Sequence, residues 1–520
     1  MGALAAAVAA SAGLAESSAA SVYALLLYVT VFVVSTCGLV YQMLAGAVAS
    51  YLLGDSVTHF SLVLGVFLAA LGLGAWLSRF VEQSPGRAFV EVSYTAAVVG
   101  GVAIEILFVA FSRSRFFQPT LYGLVVANGV LVGFELPLLM RILRRHVAMP
   151  QLLARALAVD YAGAVLGSLA FSLIVVPRLG FVRTALLFGT LNAIAALAAT
   201  WVLGPAVGPP LGLRIKGVAV IAALAVLFAY AGRATAVAED GMYPDPVIYA
   251  RQTPYQRIVI TAGRGSVQLF LDGNLQFASS DEYRYHEALV HPAFAAAAQH
   301  RNILVLGGGD GLAVREVLRH RDVQHVTLVD LDRDMTRLAR EFAPITRLNR
   351  NSLDDPRVTV INDDAMVWLA RERNTFDVAI VDFPDPNNYA LGKLYTSRFY
   401  ALLRDRLAPD GVVAVQSTSP MQARQSYWCV VGTLEAVGFH TLPYHVPVPS
   451  FGEWGYVLAS RAAIRIPTHT LPGLRYLADD VLATVFVFPR DMTRVPAEVN
   501  RLNNQVLVQY YEREWRRYVY

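Results

Sequence analysis

Long apolar segments in the first half of the chain constrain its fold more than any other feature. Each is close to the roughly 20 apolar residues that cross a bilayer as a helix. The sequence therefore predicts a polytopic α-helical membrane bundle over 22–234, preceded by a flexible extension at 1–21 that is rich in Ala and Ser. The predicted segments, about seven, lie near 22–44, 58–79, 91–112, 119–140, 156–177, 182–203 and 215–232.

The composition changes near residue 235. The first 235 residues hold 13 Lys and Arg and 7 Asp and Glu, whereas the rest of the chain holds 30 and 32. The whole chain is 55% hydrophobic and only 16% charged. This composition is too apolar for a chain that is soluble or disordered throughout. The sequence has no basic patch of the kind that would predict nucleic-acid binding. Cys37 and Cys429 offer neither a disulfide framework nor metal-ligand spacing, so no metal site is predicted.

Charged residues in the apolar half bear on orientation. The positive-inside rule places the connection between the fourth and fifth segments in the cytoplasm. Seven spans would then put the C-terminus outside, and an even number would put it inside. The basic residues of this connection are Arg141, Arg144, Arg145 and Arg155.

Acidic and small residues within the apolar half bear on packing. Glu105, Glu135 and Asp160 are ionisable groups in or near apolar segments, where they can line a path for ions or substrates. Contacts between helices are the favoured interpretation, with a transport path as the alternative. Small residues also predict close contacts between helices, and they are Gly72, Gly74, and the GxxxG-spaced pair Gly163 and Gly167.

The second half begins with a predicted antiparallel β unit at 247–280 and continues as an α/β domain at 281–465. Alternation at 257–261 and 267–271 indicates the β unit. Beyond it, apolar strands alternate with helices, which predicts a Rossmann-like, methyltransferase-type parallel sheet with its ligand beyond the carboxyl ends of the strands. The expected strands are 302–306, 326–329, 358–361 and 378–381.

Glycines or acids follow each of these strands. Glycines allow the backbone to approach a ligand, and an acid after the second strand suits ribose hydroxyls, so a nucleoside ligand is predicted. Dinucleotide oxidoreductases, S-adenosylmethionine methyltransferases and aminopropyltransferases share this architecture. Asp310 separates them, because its carboxylate would repel a pyrophosphate or the carboxylate of S-adenosylmethionine but attract a cationic aminopropyl tail. The charge pattern favours decarboxylated S-adenosylmethionine.

Motifs along residues 250–460 resemble the spermidine synthase, or polyamine aminopropyltransferase, family. A subset of that family also carries a multi-span membrane region before this domain, which the apolar half of this chain resembles. The matching motifs, in order, are Tyr255-Gln256, Leu271 to Gln276, Asp281 to Glu287, Gly307 to Gly311, Asp330 to Asp332, Asp354 to Arg357, Asp363 to Ala365 and Asp382 to Pro386.

On the donor side, the resemblance implies that Gln256 contacts the nucleoside part of the donor and Asp330 holds its ribose. Asp364 with Ala365 matches the pair on the adenine side. Gly307 and Gly309 are expected to let the donor approach the backbone closely.

On the amine side, the resemblance implies that His286 and Asp310 contact the amine substrate or the aminopropyl group, with Asp281 at the same junction. Asp382 matches the catalytic proton acceptor, and Asp385 matches its acidic partner across the acceptor amine. An acid at the end of a buried strand, as at Asp382, also has little structural justification of its own.

The implied reaction transfers an aminopropyl group from decarboxylated S-adenosylmethionine, a co-substrate rather than a permanently bound cofactor, to an amine with putrescine as the default. A methyltransferase and a polyamine transporter or sensor are the alternatives. The chain departs from the family pattern at 387–393 and lacks an evident tyrosine pair near the end of the domain, which leaves the acceptor open.

Location and assembly follow from the same resemblance. The donor is made in the cytosol, so the enzymatic domain is expected on the cytoplasmic side of the cell membrane, with the lipid bilayer as a partner. A homo-oligomer is implied by the resemblance alone. Residues 466–520 form a C-terminal extension that is expected to end in an amphipathic helix.

Overall fold

The computed structural model describes residues 25–26, 28–50, 56–113, 116–144, 149–240, 243–263 and 265–519. The predicted extension at 1–21 and Arg145 lie outside these residues. The chain divides into two compact units, Met1–Pro244 and Asp245–Tyr520.

The described part of the first unit is built from long apolar helices. Within it, six helical stretches are long and apolar enough to cross a membrane. One of them, Ala154–Val202, contains two of the predicted segments and has a break at Gly180, whose backbone is not helical (φ 73°, ψ 177°). The helices are α1 (Tyr28–Ser50), α2 (Ser56–Leu77), α3 (Pro85–Arg113), α4 (Phe117–Leu143), α5 (Met149–Ala170), α6 (Val176–Val202) and α7 (Leu211–Asp240), with a π-helical turn, Phe171–Val175, between α5 and α6.

Small residues bring these helices together. A Cβ on Gly74 of α2 would lie 2.0 Å from the Val130 carbonyl oxygen of α4, and one on Gly163 of α5 would lie 2.7 Å from the Phe32 carbonyl oxygen of α1. Gly167 is similarly close, with Thr36 Cγ2 at 2.9 Å. The prediction was wrong for Gly72, which faces open space. Two of these glycine contacts therefore place backbone against backbone.

Two of the acids within the apolar half also join helices. Glu135 of α4 is 1% exposed and accepts a hydrogen bond from the Ser93 hydroxyl of α3 at 2.8 Å. The Ser35 hydroxyl of α1 donates to Asp160 of α5. These contacts support the interpretation of both acids as bundle contacts.

The second unit opens with a four-stranded antiparallel sheet in the order β1-β2-β3-β4. The predicted strands are present, and the structure adds β1 ahead of them. Ile258 and Ile260 of β2, Leu269 of β3 and Phe277 of β4 alternate inward to pack in the core. The strands are β1 (Val247–Gln252), β2 (Arg257–Gly263), β3 (Ser266–Leu271) and β4 (Asn274–Ala278).

A seven-stranded sheet follows, in the order β10-β11-β9-β8-β5-β6-β7. β9, β8, β5, β6 and β7 are mutually parallel, while β11 and β10 are antiparallel to their neighbours. Its strands are β5 (Asn302–Gly307), β6 (His325–Asp330), β7 (Val358–Asn362), β8 (Phe376–Asp382), β9 (Leu407–Gln416), β10 (His440–Val448) and β11 (Gly452–Ser460). The predicted parallel α/β domain is confirmed.

Helices cover this sheet and position the side chains discussed below. β5 is the first strand of this sheet in sequence order. β6 and β7 lie on one side of it, whereas β8 lies on the other, so the strand order reverses between β5 and β8. Open α/β sheets bind ligands at such a point. The helices are α8 (Glu282–Ala296), α9 (Leu312–Val317), α10 (Arg333–Glu341), α11 (Ala343–Asn349), α12 (Ala365–Arg371), α13 (Tyr389–Gly392), α14 (Ser397–Asp405), α15 (Arg424–Ala436), α16 (Asp479–Thr484) and α17 (Val506–Val519).

The C-terminal segment after β11 packs into the same unit. Leu477 and Leu482 lie in the core with α8 and the central strands, and Leu507 of α17 packs with α15. Glu287 of α8, 1% exposed, accepts three backbone N–H groups from residues 475–477. The expected terminal helix is present as α17.

Candidate active site

Asp382 ends the central strand β8 directly beside the glycine turn that ends β5. Gly307 is in register with Asp382, and the Gly308 N–H donates to the Asp382 carbonyl at 3.1 Å. A Cβ on Gly307, whose φ is 78°, would lie 2.2 Å from that carbonyl oxygen. Only glycine fits there, because another residue would meet both left-handed strain and a backbone clash.

The Asp382 carboxylate is enclosed by other polar groups. The Tyr285 hydroxyl of α8 donates to its Oδ1 at 2.7 Å. Burial, opposed by the charge of His286 and assisted by that of Asp310, raises the pKa of Asp382 to about 6. Burial also raises the pKa of Tyr285, which therefore remains a protonated donor. A carboxylate in this state accepts a proton more readily than an exposed one.

His286 is the neighbour of opposite charge. Its Nδ1 lies 2.9 Å from Glu282 Oε2, and Arg315 donates to both oxygens of Glu282 at 2.9 Å. Although burial opposes ionisation, His286 and Arg315 lower the pKa of Glu282 to about 2. Although burial favours the neutral imidazole, the Glu282 carboxylate raises the pKa of His286. The imidazole is thus held toward its charged form beside two acids.

Asp310 is the second of these acids. Its Oδ1 accepts the Leu312 N–H at 2.8 Å, and burial raises its pKa. His286 is the largest opposing charge on both Asp310 and Asp382. The predicted residues His286, Asp310 and Asp382 therefore lie together in one cluster.

Asp330, which was predicted to lie on the donor side, is the last residue of β6. Asp330 accepts the Gly309 N–H at 3.1 Å and the Asp332 N–H at 2.8 Å. Burial, with the nearby Asp332 carboxylate, raises its pKa to about 7. A Cβ on Gly309 would lie 2.6 Å from Asp330 Oδ2, so this turn requires glycine for the acid to stay in place. Gln256 Nε2 donates to Asp332 Oδ2 at 3.0 Å. Asp332 therefore connects Gln256 with Asp330, a connection that was not predicted from the sequence.

Asp364 and Ala365 begin α12. Asp364 Oδ1 accepts the N–H groups of Met366 and Val367 at 2.9 and 3.2 Å, as a helix N-cap. The Lys393 ammonium lies 2.5 Å from Asp364 Oδ2. Although burial opposes it, Lys393 holds the pKa of Asp364 below its usual range. Lys393 lies in the segment that departs from the family pattern, and no local signal in the sequence pointed to this pair.

Asp385 is surrounded by neutral hydrogen-bond donors. Gln416 Nε2 donates to Oδ1 at 3.2 Å, the Thr418 hydroxyl donates to Oδ2 at 3.0 Å, and the Tyr511 hydroxyl of α17 faces the same carboxylate. Burial raises the pKa of Asp385 to about 6, and these three donors act against that rise. The sequence interpretation missed all three donors, of which Tyr511 comes from the extension after residue 466.

Asp281 has a different set of contacts. Its Oδ2 and Oδ1 accept the backbone N–H of Ser450 at 2.6 Å and the Ser450 hydroxyl at 3.0 Å. Among the described residues, these bonds tie the start of α8 to the turn between β10 and β11. The predicted contact of Asp281 with an amine stays a prediction.

Together these groups form an acidic cluster whose chemistry suits a cationic ligand carrying a ribose. Burial raises the pKa of three acids, Asp310, Asp382 and Asp385, so a cation beside their carboxylates would be favourable. Asp330 adds hydrogen-bond capacity for hydroxyls. This cluster lies at the carboxyl ends of β5, β6 and β8, where sheets of this topology bind ligands.

Comparisons with known proteins identify relatives of this chain. Residues 282–466 match the spermine/spermidine synthase domain. Curated relatives named polyamine aminopropyltransferase include one from Leptospira interrogans, 48% identical over 94% of this chain and 99% of its own length. Others are from Ralstonia nicotianae (48%; 94% and 98%) and Streptomyces coelicolor (43%; 95% and 95%). A solved spermidine synthase from Thermotoga maritima is 27% identical, covering 47% of this chain and 84% of that one, with a TM-score of 0.42.

The relatives cover both units, because their alignments span almost the whole chain. The acids placed at the strand ends lie within the matched domain, whereas Tyr511 lies beyond it. At 43–48% identity over nearly the full length, the chain belongs to the polyamine aminopropyltransferase family.

Proposed function

We propose that this enzyme transfers the aminopropyl group of decarboxylated S-adenosylmethionine to putrescine, giving spermidine and methylthioadenosine. The observation that carries the proposal is the cluster of Asp310 and Asp382 around His286, built at the ends of β5 and β8. A cationic aminopropyl group is attracted by this cluster, whereas the carboxylate of S-adenosylmethionine would be repelled.

The donor fits the remaining groups of the pocket. Asp330 accepts hydrogen bonds from the ribose hydroxyls, and the start of α12 at Asp364 and Ala365 faces the adenine. Gly307 and Gly309 support this placement, because a side chain at either position would collide with Asp382 or Asp330. The aminopropyl ammonium then lies beside Asp310.

Asp382 prepares the acceptor for attack. A free alkylammonium holds its proton with a pKa of about 10.4. Enclosure lowers the pKa of the amine and raises that of the acid, so the proton passes to Asp382, or through it to water. The hydroxyl of Tyr285 orients the carboxylate for this step.

The transfer itself is a displacement at carbon. The amine nitrogen forms a bond to the aminopropyl carbon next to the sulfonium as the carbon–sulfur bond breaks. The electron pair of that bond neutralises the sulfonium, so methylthioadenosine leaves as a neutral thioether and needs no acid. Asp385 holds the distal ammonium of the diamine, which keeps the attacking nitrogen in line.

The proposed activity is tested with the purified full-length protein in detergent. We expect methylthioadenosine release with decarboxylated S-adenosylmethionine plus putrescine. With S-adenosylmethionine as donor, the rate should be lower by at least about 100-fold, because its carboxylate would be repelled by that of Asp310. Liquid chromatography of the products measures both. Methyl transfer from S-adenosylmethionine at a comparable rate would overturn the proposal in favour of a methyltransferase.

We also propose that the first unit spans the cell membrane and that the catalytic unit faces the cytosol. The length and apolar composition of the helices support the insertion. Alkaline phosphatase and green fluorescent protein fusions after residue 250 test the side in bacterial cells. Fluorescence without phosphatase activity is expected, and the reverse result would contradict the orientation. The homo-oligomer stays a prediction.

A further inference from the structure

The C-terminal helix α17 lies outside the matched synthase domain, which ends at residue 466, yet it reaches the acceptor side of the pocket. Tyr511, near the middle of this helix, faces Asp385, and its hydroxyl acts against the rise in the pKa of that acid. Burial raises the pKa of Tyr511 well above that of a free tyrosine, so the side chain stays a neutral donor. Tyr511 and Asp385 are 126 residues apart in the sequence, so this contact joins the C-terminal extension to the rest of the catalytic unit.

The helix is held against α13, the short helix that follows Asp385. A Cβ on Gly392 of α13 would lie 2.5 Å from Val508 Cγ2 of α17 and 2.6 Å from Oε1 of Gln505, just before α17, so α17 packs as close to α13 as glycine allows. Asn500, just before the helix, donates through Nδ2 to the carbonyls of Gly392 and Tyr395 at 3.2 and 3.1 Å. These contacts fix one side of α17.

The next turn of the helix is fixed as well. Glu514 accepts the backbone N–H groups of Gln425 and Ser426 at 2.8 and 3.0 Å and the Ser426 hydroxyl at 2.7 Å. These groups form the start of α15, where a carboxylate is favourable. Tyr511 lies one turn from Glu514 on the same helix, so its position beside Asp385 is set from both directions.

Asp385 has polar contacts only with neutral groups among the described residues: Gln416, Thr418 and Tyr511. The titratable hydroxyls that face it, from Tyr395 and Tyr511, are both held neutral by burial. A buried carboxylate without a cationic partner is costly, and a cationic ligand removes that cost.

We propose that α17 completes the acceptor pocket and that Tyr511 positions Asp385 for the distal ammonium of a primary diamine, which makes this residue a determinant of which amine is accepted. This inference rests on the proposed function. It assigns a substrate-specifying role to a segment beyond the synthase domain. Tyr511 acts through Asp385 and is therefore a positioning residue.

Tyr511→Phe, which removes only the hydroxyl, tests this role in the full-length enzyme. Loss of a hydrogen bond to a charged group is expected to raise the KM for putrescine about tenfold or more, with the KM for decarboxylated S-adenosylmethionine unchanged. The pKa of Asp385 should rise without this donor, so the acidic limb of kcat/KM for putrescine should move to higher pH. Steady-state kinetics from pH 5 to 8 measure both effects.

Tyr510→Phe is the matched control. Tyr510 neighbours Tyr511 on the same helix, but its hydroxyl lies 3.5 Å from Glu498 Oε1, away from Asp385. This variant is expected to keep the wild-type kinetics and pH profile. Equal behaviour of the two variants would overturn the proposal, as would an equal rise of both donor and acceptor KM in Tyr511→Phe, since that pattern indicates a purely structural role.

Tyr511→Leu gives a second readout, because it also frees space beside Asp385. Relative kcat/KM for cadaverine over putrescine, which differ by one methylene, is expected to rise about tenfold. An unchanged ranking of amines would contradict the role in specificity. Absence of turnover by the wild-type enzyme with every amine would instead contradict the proposed function, so the two failures are distinguishable.

Discussion

Asp382→Asn is expected to lower kcat for aminopropyl transfer by about 10³-fold, the usual contribution of a general base. The amide keeps the size of the side chain and accepts the Tyr285 hydrogen bond through its oxygen, but it cannot take a proton from the acceptor. Binding of methylthioadenosine should remain, because the substitution leaves the proposed ribose-binding residue, Asp330, unchanged. Single-turnover assays and calorimetric titration with methylthioadenosine measure the two quantities separately.

Asp377→Asn provides the matched control for this experiment. Asp377 lies at the opposite end of the same strand, β8, where it accepts the backbone N–H groups of Arg301 and Asn302 at 2.8 and 2.9 Å. The same chemical change there should leave kcat within about twofold of wild type, in line with substitutions away from a site. Retention of most activity by Asp382→Asn would show that another group accepts the proton.

Arg315→Met is expected to lower stability more than any other single change considered in this protein. The guanidinium is 9% exposed and binds Glu282 and Glu316, which are 6% and 5% exposed. Its loss removes a cation from two buried carboxylates, which keep only His286 beside Glu282 and His291 with Arg319 beside Glu316, at a cost of about 3 kcal/mol. The pKa of Glu282 should rise with the loss, which also weakens its support of His286.

The expected result is a fall of about 10 °C in the thermal midpoint of the catalytic unit. Tryptophan fluorescence of the full-length protein follows it, because Trp368, Trp428, Trp454 and Trp515 all lie in that unit. Arg337→Met is the control, since Arg337 is 42% exposed and pairs with Asp334 on one helix face. An exposed pair of this kind contributes less than about 1 kcal/mol. Equal shifts in both variants would contradict the role assigned to burial at Arg315.

The parts of the site that sequence could predict are those set by local pattern. Gly307, Asp330 and Asp382 each follow an apolar strand, and parallel strands bring their carboxyl ends to one edge of a sheet. That rule alone placed three separate motifs in one pocket. It did not predict β9, β10 and β11, whose runs lack the clear boundaries of the earlier strands, nor the 49-residue helical stretch broken at Gly180.

Other residues could not be placed from the sequence. Tyr285 stood within a matching motif, but its direction toward Asp382 depends on how α8 packs across the sheet. The pairing of Glu282 with Arg315 and that of Lys393 with Asp364 join separate elements and follow no fixed spacing. Periodicity indicates which face of an element is buried, but not which polar partner it meets.

The two-part organisation, the parallel α/β sheet and the acids at its strand ends could be predicted from the sequence, because each depends on hydrophobic runs and turn residues that act locally. The pKa shifts and the direction of those acids depend on the folded arrangement. Burial, the His286 charge beside Asp310 and Asp382, and the reach of Tyr511 to Asp385 arise from contacts between residues far apart in the chain. Electrostatic energies depend on distance and desolvation, and both exist only once the elements have packed.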